Sequence, residues 1–115
     1  MFVGCLTSAK TSFSSADIRG FTKISKQATR SEQSFVVPSG TKQIVIAYPM
    51  SLTSTSVIPT FRYEALGQWF TEENVSYIDT VYVAGANNAT SVAYYVFGYT
   101  HSGTFASDTN YKIKI

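Results

Sequence analysis

The end of the chain shows the clearest alternation of hydrophobic and polar residues. Tyr111, Ile113 and Ile115 alternate there with Lys112 and Lys114. A period of two places the apolar side chains on one face of a sheet and the charged side chains on the other. This segment is therefore predicted to be a strand with one face in the core.

Further strand patterns follow one another from residue 34 onward, separated by turn residues. They cover residues 34–37, 42–48, 57–70, 75–78, 80–84 and 91–99. The 42–48 segment is apolar on both faces, which is typical of a strand covered from both sides. Pro38-Ser39-Gly40 is predicted to join 34–37 to 42–48 as a hairpin. Gly67 is predicted to form a bulge or tight bend, and residues 85–90 a loop.

Six or seven short strands joined by turns favour an all-β fold, a small antiparallel β-sandwich, with a barrel as the alternative. The sandwich is assigned to residues 34–115, and residues 1–33 are assigned to an N-terminal arm that packs on the sandwich or extends from it. The arm is predicted to carry a short helical turn, with Ser14 or Ser15 as N-cap and Gly20 at its end. An irregular but ordered arm is the alternative.

The composition is that of an ordered, nearly neutral protein. Of 115 residues, 44% are hydrophobic and 14% are charged, which is too apolar for intrinsic disorder. The formal net charge of +2 is too small for electrostatics alone to hold nucleic acid, so nucleic acid is not an expected partner. No run of the sequence approaches the roughly 18 apolar residues of a membrane span, so no membrane is expected as a partner either.

Residues suited to catalysis are few. Cys5 is the one cysteine and His101 the one histidine, so no intrachain disulfide and no thiolate zinc cluster can form. Their settings, a small apolar run and a turn, indicate structural roles. The sequence contains no Gly-rich phosphate loop and no metal-spaced set of ligands. We therefore expect a protein that is not an enzyme and that holds no cofactor and no metal.

Two groups of residues are candidates for an interaction surface. The aromatic group could form a platform for a sugar or a base, but packing in a small β core is the simpler interpretation. The basic group is spread along the N-terminal third without clustering, which favours a solvated arm that faces a partner. The candidates are Tyr63, Trp69, Phe70, Tyr77 and Tyr82 in the aromatic group and Arg19, Lys23, Lys26 and Arg30 in the basic group.

Four segments carry a resemblance to a known family. They are SADIR at 15–19, VPSGTKQIVIAYP at 37–49, VYVAGANN at 81–88 and NYKIKI at 110–115. As a set, they resemble a small β-sandwich domain that recurs in virion structural proteins of tailed bacteriophages, of the neck, tail and fibre type. The segment 58–74 departs from that pattern. The resemblance implies a β-sandwich fold, a place in the virion and other virion proteins as partners.

These observations favour a non-enzymatic assembly subunit of the phage neck, tail, baseplate or fibre apparatus. Low charge, hydroxyl-rich loops and open sheet edges suit a subunit that is repeated in a larger particle, so a homo-oligomer such as a ring or trimer is expected. Two alternatives stay open. One is a carbohydrate-binding host-attachment module with a glycan as ligand, and the other is a capsid decoration or accessory protein.

Overall fold

Strand-forming sequence dominates the chain, and the described residues form nine strands in two antiparallel sheets. The computed structural model describes residues 1–24, 32–84 and 91–115. The strands are β1 (Phe2–Leu6), β2 (Thr22–Lys23), β3 (Gln33–Val37), β4 (Gln43–Pro49), β5 (Thr60–Ala65), β6 (Gln68–Thr71), β7 (Ser76–Val83), β8 (Val92–Thr100) and β9 (Thr109–Lys114). Helix α1 spans Ser15–Gly20, and a single 3-10 turn spans Met50–Leu52.

The two sheets form the predicted sandwich. Sheet A has the strand order β2-β1-β4-β8-β7, and sheet B has the order β3-β9-β5-β6. The prediction of a small all-β antiparallel sandwich with a short helix is confirmed. The described residues form nine strands instead of six or seven, because β1 and β2 come from the N-terminal third, where no strand was expected.

The core between the sheets is built from alternate residues of each strand. In β9, Tyr111 and Ile113 are buried, as the closing alternation predicts. They meet Ile44 and Ile46 of β4, which point inward from sheet A, and Phe61 of β5. A single contiguous cluster of apolar side chains therefore joins the two sheets.

A second cluster of apolar side chains covers part of the outer face of sheet A. Val45 and Ala47 point away from the first core and pack with Phe13 and Ile18 of the helical segment. All seven residues of β4 are consequently buried, which confirms the prediction of a strand covered from both sides. The helix thus adds a third layer to the sandwich.

Helix α1 begins at a capping box. The Ser14 side chain accepts a hydrogen bond from the Asp17 backbone N–H, and the Asp17 carboxylate accepts one from the Ser14 backbone N–H. The pKa of Asp17 is lowered by this backbone hydrogen bond and by the Lys10 ammonium group, 2.9 Å away. Of the two residues predicted as N-cap, Ser14 and Ser15, the structure has Ser14 in this position, where each partner of the capping box satisfies a donor at the helix start.

The predicted hairpin of residues 34–48 is wrong. Strand β3 pairs with β9 in sheet B, whereas β4 pairs with β1 and β8 in sheet A. The turn therefore carries the chain from one sheet to the other, with Gly40 at φ 87°. The physical reason is burial. Because β3 and β4 lie in opposite sheets, Val37 and Ile44 both face the core between the sheets, where both side chains are fully buried.

Residues assigned to the arm contribute directly to the sandwich. Strand β1 lies inside sheet A, between β2 and β4. The backbone passes beneath the aromatic ring of Phe21 at Gly4, where an added Cβ would lie 2.6 Å from that ring. The ring of Phe21 makes an edge contact with Phe13, with centroids 6.3 Å apart. These contacts fix the helical segment to the sheet.

The turn between β5 and β6 is the tight bend predicted at Gly67. Leu66 and Gly67 have φ values of 54° and 74°, so both central residues are left-handed. Two left-handed residues match the twist of a two-residue hairpin. The loop predicted at 85–90 lies outside the described residues.

We expect the substitution Gly4→Ala to destabilise the fold by about 1–3 kcal/mol, because the new methyl group displaces the Phe21 ring from its packed position. Urea unfolding of both proteins measures the change. Gly20→Ala is the matched control, since an added Cβ at Gly20 meets nothing within 4 Å. Equal stability changes for the two variants would contradict the packing role of Gly4.

Candidate functional site

The five aromatic residues considered as one platform lie on different surfaces. Trp69 and Phe70 are consecutive in β6, so their side chains point to opposite faces of sheet B. Phe70 stacks on Tyr63, with ring centroids 5.5 Å apart, at the border of the core. Tyr77 and Tyr82 belong to β7 of sheet A. The structure therefore does not bring these five residues together.

The two described basic candidates, Arg19 and Lys23, lie on different elements. Arg19 lies in the last turn of α1, and its guanidinium donates a hydrogen bond of 3.0 Å to the carbonyl of Ala84. Lys23 lies on β2, at the edge of sheet A. Lys26 and Arg30 lie outside the described residues. The two described cations are thus held by different elements, as their spread in the sequence indicates.

Trp69 borders a depression on the outer face of sheet B. The register of the strands places Glu64 directly opposite Trp69, and Lys112 opposite Arg62. The Lys112 ammonium nitrogen lies 4.5 Å from the centroid of the indole ring, and the Arg62 guanidinium carbon lies 5.9 Å from it. Both distances are those of cation–π contacts. These contacts hold the indole ring against the sheet.

The depression beside this ring, which we call the Trp69 depression, has a volume of about 380 Å³. Trp69 lies on one side of it and Val36 of β3 on the other. Between them, the Asn110 side-chain amide donates a hydrogen bond of 3.1 Å to the Glu64 carboxylate. Glu64 and Asn110 were not recognised as site residues in the sequence, because only the strand register brings them beside Trp69.

Cys5 and His101 lie in different places. Cys5 is half-buried on β1, where burial raises the pKa of its thiol to about 11. His101 follows β8 and packs against Phe105, with ring centroids 4.7 Å apart. Its Nδ1 accepts a hydrogen bond from the backbone N–H of Gly103. The structure therefore does not assemble a pair of nucleophile and base from these two residues.

A polar cleft of about 440 Å³ opens beside His101, between the ends of the two sheets. Its walls include Glu72 and Tyr99, and the buried Tyr111 hydroxyl donates a hydrogen bond of 2.7 Å to Glu72. Burial and then the Glu72 carboxylate raise the pKa values of both tyrosines, so both phenols stay neutral at physiological pH. Among the described residues, no carboxylate forms a hydrogen bond or an ion pair with His101. Glu72 is thus engaged by a tyrosine and not by the histidine.

A larger groove, of about 630 Å³, separates β1 of sheet A from β3 of sheet B. Strand β2 pairs only with Phe2 and Val3, so in the described part of the chain residues 4–6 have no strand partner on that side. Strand β3 pairs with β9 along one edge, and no described strand pairs with its other edge. We call this region the edge groove. Residues 4–6 on one side of the groove and residues 34–37 on the other each present a strand edge with which no described strand pairs.

Comparison of this chain with protein-family models, with curated proteins and with solved structures found no match. Of the helices in the described ranges, none combines the length and the apolar character that crossing a bilayer requires. The fold and its surfaces are therefore the observations from which a function can be inferred.

The Cys5 thiol is expected to react slowly in the folded protein. A pKa of about 11 leaves roughly a hundredfold less thiolate at pH 8 than an unperturbed thiol of pKa 9.0 would have. Alkylation by iodoacetamide, followed by mass spectrometry, should therefore be about a hundredfold slower in the native protein than in denaturant. Similar rates in both conditions would contradict the raised pKa and show that burial does not suppress the reactivity of Cys5.

Proposed function

We propose that this protein is a non-enzymatic structural subunit of a bacteriophage virion, of the neck, tail, baseplate or fibre apparatus. The observation that carries the proposal is the outer edge of β3 at residues 34–37, with which no described strand pairs. An edge strand presents unpaired N–H and C=O groups that can pair with a strand of another subunit. The four segments that resemble phage virion domains support the same role.

Within its own sequence and its pairing with β9, strand β3 shows none of the features that protect an edge strand. Its sequence QSFVV contains no charged residue and no proline, and its pairing with β9 shows no bulge. Val36 is 54% exposed on it. By contrast, the β7 edge of sheet A is interrupted by a register shift between Tyr77 and Asp79. Strand β3 is therefore the edge best suited to strand addition.

The second edge of sheet B suggests how copies join. Sheet B ends in β3 on one side and in β6 on the other. Pairing of β3 in one subunit with β6 of the next would continue sheet B across the contact. Such a contact uses two different surfaces, and heterologous contacts close into rings when the rotation allows it. A ring or trimer of copies is therefore the assembly that we propose for this contact.

A lysine on the outer edge of β3 should weaken self-association. We expect Val36→Lys to raise the dissociation constant of the oligomer about tenfold or more, because a charged side chain at an edge opposes strand pairing. Analytical ultracentrifugation over a concentration series measures this change. Val92→Lys is the matched control, because Val92 is 43% exposed and lies on sheet A.

Equal effects of the two lysines, or a wild-type protein that stays monomeric at every concentration, would contradict assembly through β3. Unchanged thermal unfolding of Val36→Lys would show that the variant is folded.

The place in the virion needs a separate experiment. We expect mass spectrometry of purified particles of the encoding phage to find the chain in a fixed ratio to the major structural proteins. Absence of the chain from intact particles would reject the virion role, whatever the oligomeric state of the isolated protein.

A further inference from the structure

We infer that the Trp69 depression binds a neutral pyranose sugar. This role goes beyond assembly, because it assigns a small-molecule ligand to the outer face of sheet B. The inference rests on four side chains from four strands: Trp69 of β6, Glu64 of β5, Asn110 of β9 and Val36 of β3.

The size of the depression suits a single small ring. Its volume of about 380 Å³ falls at the lower end of the roughly 300–1,000 Å³ that small-molecule sites occupy. Trp69 and Val36 provide apolar walls, while Glu64 and Asn110 lie between them. An apolar wall next to a few fixed polar groups is the usual composition of a binding site.

The chemistry of the lining matches the two kinds of surface on a pyranose. A sugar ring has an apolar face of C–H groups, which can stack on an indole ring, and a rim of hydroxyl groups. The Glu64 carboxylate can accept hydrogen bonds from hydroxyls, and the Asn110 amide can both donate and accept. Neighbouring hydroxyls on one ring can therefore be bound by the two side chains together.

Glu64 and Asn110 are already oriented for this task. The hydrogen bond of 3.1 Å between them restricts the rotation of both side chains. It uses one carboxylate oxygen of Glu64 and the amide nitrogen of Asn110, and neither side chain makes another hydrogen bond within the described part of the chain. The second carboxylate oxygen and the amide oxygen remain for a ligand. Such preorganisation reduces the entropy lost on binding.

The charges around the depression favour a neutral ligand. Lys112 lies over the indole ring, and Arg62 forms an ion pair of 2.9 Å with Glu32. Together with Glu64, these groups comprise two cations and two carboxylates, so they carry no net charge. A polyanion such as single-stranded nucleic acid would find no net attraction here, although its bases could stack on Trp69.

The chain provides its own probe of this site. Trp69 is the only tryptophan, so the intrinsic tryptophan fluorescence of the protein reports on the Trp69 depression alone. We would titrate the protein with the methyl pyranosides of glucose, galactose and mannose, and separately with oligothymidylate. We expect a saturable change in emission with at least one of the pyranosides.

Matched variants test which side chains bind the sugar. Asn110→Ala and Glu64→Ala should each raise the Kd for the bound pyranoside about tenfold or more, since each removes a hydrogen-bonding group. Tyr82→Ala is the control, because Tyr82 is an exposed aromatic residue of sheet A and should leave the Kd unchanged. Unchanged thermal unfolding verifies that each variant is folded.

Three results would overturn the inference: no saturable signal with any pyranoside, the same Kd in Asn110→Ala as in the wild type, or tighter binding of oligothymidylate than of every pyranoside. Asn110→Ala should also leave the oligomeric mass unchanged. Loss of sugar binding and loss of assembly are therefore measured independently. A result that contradicts one proposal does not contradict the other.

Discussion

The burial of β4 on both of its faces is the constraint on which the rest of the structure depends. Ile44 and Ile46 require sheet B as a partner, whereas Val45 and Ala47 require a cover on the opposite side. Burial of one large aliphatic side chain contributes about 1.5–3 kcal/mol, and a whole domain is stable by only about 5–15 kcal/mol. Neither face of β4 can therefore be left in water, and the helical segment is part of the packed structure.

This constraint also decides which surfaces remain for function. Helix α1 and its flanking phenylalanines occupy part of the outer face of sheet A, and the core fills the centre of the space between the sheets. The strand edges and the outer face of sheet B remain. Strand addition at β3 uses backbone groups in the plane of the sheet, whereas a ligand beside Trp69 uses side chains that stand out from it. The two roles therefore use different chemical groups of the same sheet.

The features that could be predicted from the sequence are those with a local physical cause. The closing strand follows from alternation, the start of α1 from the Ser14 hydroxyl, and the bend at Gly67 from its tolerance of positive φ. The hairpin assigned to residues 34–48 failed because a turn signal indicates only that the chain reverses. It does not indicate which strands then pair, and here burial places β3 and β4 in opposite sheets.

The candidate site could not be predicted from the sequence for the same reason. Trp69 could be recognised as an aromatic residue in a strand, but Asn110 and Glu64 are 46 positions apart and meet only through the pairing of β5 with β9. Grouping Trp69 with Phe70 ignored that consecutive strand residues face opposite ways. In a sandwich of this kind, the neighbours of a surface residue are set by cross-strand register, and register depends on long-range pairing. The pairing of the strands therefore defines which side chains meet on the exposed face, and short sequence motifs do not specify that pairing.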